Sequence, residues 1–147
     1  MELVHTVASL ITASRLSASC YRVASERLTD DAAIAHYFDE QADYHDLAAD
    51  WLEKKLGERG DRPVPEILQA PSPEGWSYPA VGESNPRELI RVCHARQELT
   101  ANKFEESAKS LPSEWSGQVR EYANNMRSAI AKLHAWLQGK EIGPQLQ

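Results

Sequence analysis

The fold of this chain is decided by residues 58–82, ERGDRPVPEILQAPSPEGWSYPAVG, which separate two pairs of helical segments. Five prolines forbid a long continuous helix there. About 25 extended residues reach about 80 Å, whereas a helix of about 26 residues is about 39 Å long. The stretch can therefore cross a whole bundle and let the flanking helices run parallel. This crossover is the favoured topology, although an up-down bundle would also accept the loop.

Four amphipathic helices are predicted around this stretch, over about 2–28, 31–56, 86–111 and 113–138. Apolar and small residues recur every three or four positions in each, which places them on one helical face. The predicted inner rows are Leu3, Val7, Leu10, Ser14, Ser17, Tyr21, Ala24 and Leu28; Ile34, Phe38, Gln41, His45, Ala48, Leu52 and Leu56; Leu89, Cys93, Gln97, Thr100, Phe104 and Leu111; and Trp115, Val119, Tyr122, Met126, Ala129, Leu133 and Leu137. The pattern predicts one domain over 1–140, with a crossover at 57–85 and a frayed tail at 141–147.

Local signals mark where these helices begin and end. Gly57 and Gly60 are the expected stop of the second helix. Thr29 and Asp30 are expected to form the turn before it, and Asn85 to cap the third. In the crossover, Trp76 and Tyr78 are expected to pin the segment against the bundle.

Composition and charge limit the classes of function. The 147 residues carry a net charge of −6, which argues against a general nucleic-acid binder and against docking on anionic membranes. There is no run of 18 apolar residues, and the N-terminal apolar stretch has no preceding positive charge, so a cytoplasmic protein is expected. Cys20 and Cys93 are interpreted as buried, reduced thiols, with a disulfide as the alternative.

The middle of the predicted core is polar but contains no carboxylate. Ser17, Gln41, His45, Gln97 and Thr100 fall on the inner rows, while the acidic residues of the second helix fall outside them. A carboxylate-bridged di-metal site in such a bundle takes a Glu from two helices and a Glu-x-x-His from the other two. The pattern therefore favours a hydrogen-bonded packing layer, with a remnant metal half-site at Gln41 and His45 as the alternative.

Other polar pairs are weaker candidates. His36 with Glu40 and His94 with Glu98 are spaced as surface pairs, although together they would supply four ligands. Glu2 and His5 form the one Glu-x-x-His motif of the sequence. It lies at the N-terminal end of the first helix, away from the predicted centre of the bundle. The sequence carries no phosphate-binding loop, dinucleotide fingerprint or nucleophile elbow.

The helix pattern resembles the ferritin-like superfamily, and more narrowly the small stress-associated bacterial bundle proteins of the YciE/YciF type. The resemblance rests on Ser17-Ala-Ser-Cys-Tyr-Arg-Val-Ala-Ser-Glu26, Gln41-Ala-Asp-Tyr-His45, Cys93-His-Ala-Arg-Gln-Glu98 and the run from Tyr122 to Leu137. It implies a carboxylate near Ser17 to Ser19, a carboxylate or Gln followed by His at Gln41 and His45, and a Glu near Gln97. A carboxylate and a His are implied near Asn124 to Ala129. Of these four positions, only Gln41 and His45 keep ligand chemistry.

These observations predict an all-α, ferritin-like four-helix bundle with a long Pro-rich crossover. The favoured function is a non-enzymatic protein without a di-metal site or cofactor, acting through self-association or a protein partner in a stress response. Ile11, Val23, Ile130 and Trp136 lie off the main stripes and suggest a homodimer.

Two alternatives stay open. The first is a divergent metal-binding or oxidase bundle that holds iron or manganese through His45, Gln41 or Gln97, with Glu40 or Glu98 turned inward by a one-residue change of helix phase. The second is a small-ligand carrier with Trp76 as a lid.

Overall fold

The computed structural model describes residues 2–28, 32–60 and 86–138. Four helices occupy them: α1 (Glu2–Arg27), α2 (Ala32–Glu58), α3 (Pro86–Ala108) and α4 (Ser113–Leu137). The prediction of an all-α four-helix bundle is confirmed. The predicted turn at Thr29 and Asp30, the Asn85 cap, the pinning role of Trp76 and Tyr78, and the tail at 141–147 lie outside the described residues.

The ends of the helices follow local hydrogen bonding. The prediction that Gly57 stops α2 is wrong, because the helix continues to Glu58. Gly60 makes the turn instead, with φ of +81°, a left-handed conformation that costs glycine little. Pro112 precedes α4, and its carbonyl accepts from the amides of Trp115 at 2.9 Å and Ser116 at 3.0 Å.

Side-chain contacts establish the topology. Ser17 meets Thr100 while Cys20 meets Cys93, so α1 and α3 run antiparallel. Arg15 reaches Asp50 and Arg22 reaches Asp43, so α1 and α2 are also antiparallel. Consequently α2 and α3 run parallel, as the crossover prediction requires.

The core has two apolar clusters with a polar layer between them. One cluster surrounds Phe104, Trp115 and Tyr122, and the other surrounds Tyr21 and Phe38. Ser14, Ser17, His45, Gln97 and Thr100 lie at the junction and are fully buried. The bundle thus places its polar side chains halfway along its length.

The apolar residues that suggested a second face pack within this chain. Ile11 is buried in the core, and Val23, Ile130 and Trp136 are half-buried against the two clusters. Within the described ranges, Leu47 is the one exposed large hydrophobic residue. None of the described helices combines the length and the apolar character that a membrane span requires.

Candidate functional site

The centre of the site is a hydrogen bond between α2 and α3. His45 Nε2 lies 2.6 Å from Gln97 Oε1, which also accepts from the Tyr21 hydroxyl at 3.0 Å. The Gln97 amide nitrogen donates to the Met126 carbonyl at 3.2 Å. Because Gln97 Oε1 can only accept, the proton of the neutral imidazole is assigned to Nε2. Four helices therefore contribute to one network.

The imidazole of His45 is neutral and has one unused nitrogen. Burial lowers its pKa to about 4; the Gln97 hydrogen bond opposes this shift, and the charge of Arg96 adds to it. Tyr21 stacks on the ring with centroids 5.8 Å apart, and Tyr44 meets it edge-on. Nδ1 is buried and has no hydrogen-bond partner within the three described segments. With Nε2 protonated, Nδ1 holds a lone pair, which is the form of imidazole that binds metals.

Hydroxyl groups from α1 and α3 complete the layer. Ser17 Oγ and Thr100 Oγ1 lie 2.7 Å apart, and Thr100 also donates to the Ala13 carbonyl at 3.5 Å. The buried hydroxyl of Ser14 has no hydrogen-bond partner in the described part of the chain. The layer thus offers neutral oxygen donors beside one imidazole.

Arg96 is a component that sequence reasoning missed. Its side chain is 1% exposed and is the largest fully buried one among the described residues. The signal was present, because Cys93, Arg96 and Thr100 follow the same 3-then-4 spacing as the inner row. Arg96 was left out because charged residues are rarely buried completely.

The structure places the other predicted candidates away from the centre. Gln41 is half-buried, so of the pair expected in the core only His45 is buried there, where it bonds to Gln97 of the predicted polar layer. Glu40 and Glu98 are exposed, 3.3 Å from His36 and 3.8 Å from His94 respectively. The one-residue phase change that would turn either carboxylate inward therefore does not occur.

The remaining positions implied by the resemblance also lack ligands in the core. Asn124 and Asn125 are exposed, and Met126 and Ala129 are buried but offer no ligand oxygen or imidazole. Among residues 2–28, 32–60 and 86–138, no three His, Cys, Asp or Glu side chains come close enough to hold a metal together.

The carboxylates nearest to the centre pair with α1. Asp46 lies 2.8 Å from Arg15 and 2.7 Å from Arg22. Partial burial raises the pKa of Asp46, but the two guanidinium groups together outweigh it and hold the pKa below its usual value. Asp50 and Asp43 bind the same two arginines. We refer to these five residues as the α1–α2 ladder.

An open cleft of about 360 Å³ lies at one end of the bundle. Leu3, Arg59 and Leu111 are among its lining residues, so it is remote from His45. The lid that the carrier hypothesis assigned to Trp76 lies outside the described residues.

Comparison with known proteins identifies the class of fold. No protein-family profile matches the chain, and no curated protein matches it. A crystal structure of a variant of the ferritin PmFTN, soaked in iron for 3 h, matches with a TM-score of 0.71 at 16% identity, covering 95% of this chain and 88% of that one. A second PmFTN variant, soaked in iron overnight, matches with a TM-score of 0.69 at 14% identity, covering 94% and 87%.

These likenesses establish a ferritin-like four-helix bundle. They also contradict the favoured expectation of a metal-free bundle that acts through self-association, because these two solved structures are iron-soaked ferritin variants. The expectation of no cofactor is corrected with it, and the metal-binding alternative fits better. Missing carboxylates do not by themselves exclude a metal ligand, because a neutral imidazole nitrogen with a lone pair also binds metals.

Proposed function

We propose that this protein binds iron at the centre of its bundle, with His45 as the nitrogen ligand. The observation that carries the proposal is the buried Nδ1 of His45, which has no hydrogen-bond partner among residues 2–28, 32–60 and 86–138. An unsatisfied buried polar atom costs about 1–3 kcal/mol and calls for an explanation such as a bound ion. Because the similar solved structures are ferritin variants soaked in iron, we take iron as the ion.

The layer offers donors for one divalent ion at most, since a di-metal centre needs carboxylates and none is buried among the described residues. The His45 ring needs no deprotonation near neutral pH, since burial lowers its pKa to about 4. Imidazole is a suitable ligand for iron, and the hydroxyls of Ser14, Ser17 and Thr100 are oxygen donors in the same layer. When bound, iron would supply Lewis acidity and one-electron redox chemistry.

Two features set the expected affinity. The positive charge of Arg96 lowers the pKa of His45 because it disfavours a proton on the ring. The same charge would repel a metal ion bound at His45. The ladder carboxylates are already paired with Arg15 and Arg22. We therefore expect weaker binding than at a carboxylate-rich site, with manganese as the competing metal.

The test is metal content at equilibrium, measured by elemental analysis on both sides of the membrane after anaerobic dialysis against ferrous ammonium sulfate. We expect about one iron per chain in the wild type and at least a tenfold lower content in His45→Ala. The matched control is His36→Ala, because His36 is an exposed histidine on the same helix. It should retain the wild-type content.

Folding of each variant is checked by circular dichroism, and His45→Gln serves as a second variant that keeps a polar side chain. Wild-type protein that holds no iron in excess of the dialysis buffer would overturn the proposal. Equal iron in wild type and both His45 variants would place the metal elsewhere and equally defeat it.

The finer parts of the resemblance stand as proposals of the same kind. We infer a cytoplasmic, stress-associated protein of the YciE/YciF type that pairs as a homodimer, through a surface other than Ile11, Val23, Ile130 and Trp136, which pack within the chain. A monomeric mass by light scattering across a wide concentration range would refute the dimer.

A further inference from the structure

The two cysteines meet inside the bundle. Cys20 on α1 and Cys93 on α3 are both free, with exposures of 0% and 1%. Their sulfur atoms lie 3.6 Å apart, and Cys93 Sγ is also 3.9 Å from the Cys20 carbonyl oxygen. The pair is enclosed by the apolar cluster around Tyr21 and Phe38.

We propose that Cys20 and Cys93 form a redox pair that hydrogen peroxide closes into a disulfide between α1 and α3. A disulfide requires sulfurs about 2.05 Å apart, so the two atoms need to approach by about 1.5 Å. Rotation of the cysteine side chains can supply a movement of this size while the helices stay in place. The inference rests on sulfur geometry and does not depend on iron binding.

The chemistry balances with peroxide as the oxidant. One thiol gives up its proton, and its sulfur attacks a peroxide oxygen, so that the O–O bond breaks and a sulfenic acid and water form. The second thiol then attacks the sulfenic sulfur, forming the S–S bond and breaking the S–O bond, and a second water leaves. Two thiols lose two electrons, and one peroxide is reduced to two waters.

The surroundings make this reaction slow and selective. Burial raises the pKa of Cys93, with the neighbouring Cys20 adding to the effect, so the reactive thiolate is rare. The oxidant must be small and must enter when the cluster opens locally. Peroxide meets that size requirement, while bulky disulfide reagents do not.

The bond would join the two helical hairpins. Cys20 and Cys93 are 73 positions apart, so the closed loop contains all of α2. Cross-links that close long loops stabilise the folded state most. Cys20 precedes Tyr21, whose hydroxyl donates to Gln97, so the cross-link also fastens one side of the central layer.

The experiment treats the folded wild-type protein with hydrogen peroxide, denatures it in an alkylating agent and measures the intact mass. We expect loss of two hydrogens and of both alkylation sites in a monomeric product, and a thermal midpoint raised by about 5–15 °C that a dithiol reductant reverses. Cys20→Ala and Cys93→Ala are matched controls that should show neither change.

Three results would overturn the proposal. Both thiols could remain alkylatable after a treatment that oxidises a reference dithiol peptide. The sulfurs could gain oxygen atoms without losing two hydrogens, or the disulfide could join two chains. Each result is read from wild-type protein, so the test holds even if an alanine variant fails to fold.

Discussion

The central layer and the α1–α2 ladder are two regions where polar side chains join different helices, and their chemistry is opposite. The central layer is buried, and its hydrogen bonds join the neutral side chains of His45, Gln97 and Tyr21. The ladder is partly exposed and fully ionic, with Arg15 and Asp46 at its middle. Asp46 directly follows His45 in the chain, so adjacent residues of α2 belong to the ladder and to the central layer.

The difference shows how this chain distributes charge. Buried carboxylates are costly unless they are paired, whereas exposed pairs contribute little to stability. In α2, Asp43, Asp46 and Asp50 pair with arginines of α1, while His45 lies in the core. The central layer should therefore dominate stability and its dependence on pH, and the ladder should dominate the dependence on salt.

The largest expected effect comes from removing Gln97. In Gln97→Ala, the Tyr21 hydroxyl and His45 Nε2–H lose their acceptor inside the core. Because each unsatisfied buried group costs about 1–3 kcal/mol, we expect the free energy of unfolding to fall by about 3–5 kcal/mol. Urea unfolding measures it, with the exposed Gln138→Ala as the matched control. A loss below about 1 kcal/mol would mean that the hydrogen bonds of Tyr21 and His45 to Gln97 contribute little to stability.

The next effect is a loss of stability in acid caused by His45. Its pKa is about 4 in the folded protein and near 6.5 when unfolded, so the unfolded chain alone takes up the proton between these values. Above pH 6.5, His45 does not change the free energy of unfolding. As the pH falls from 6.5 toward 4, protonation of His45 in the unfolded chain lowers the free energy of unfolding progressively, by up to about 3 kcal/mol. Urea unfolding across this range measures it.

The control for this pH dependence is His45→Gln, which removes the titrating group. Its unfolding free energy should change less between pH 6.5 and 4 than that of the wild type. Identical slopes in the two proteins would show that other groups, such as Asp46, cause the acid sensitivity.

Much of this comparison was predictable from helical spacing. The inner rows placed His45, Gln97 and Thr100 in the core, since the 3-then-4 repeat depends only on the helix period. Spacing could not show that Gln41 is only half-buried. A small rotation of α2 about its axis decides whether a residue at the edge of the apolar face is buried, and the sequence does not give that rotation. It also could not reveal Arg96, whose burial depends on tertiary packing.

Contacts between distant segments were beyond the sequence argument. Loop length allowed the crossover but did not require it, and the approach of Cys20 to Cys93 follows only once α1 and α3 are adjacent. The metal prediction failed for a related reason. Counting carboxylates in the sequence does not show whether His45 Nδ1 has a hydrogen-bond partner. That depends on the side chains that the three other helices place around the ring.

The smallest effect is expected at the ladder. Arg15→Gln removes the contacts with Asp46 and Asp50, but the Arg15 side chain is 39% exposed and water screens its charge. We expect a loss of about 0.5–1 kcal/mol at low salt, shrinking in concentrated sodium chloride. Arg120→Gln, at an exposed arginine of α4, should change stability less. A loss at Arg15 as large as that at Gln97, and insensitive to salt, would mean that the ladder behaves as part of the core, and the division between the two polar regions would be wrong.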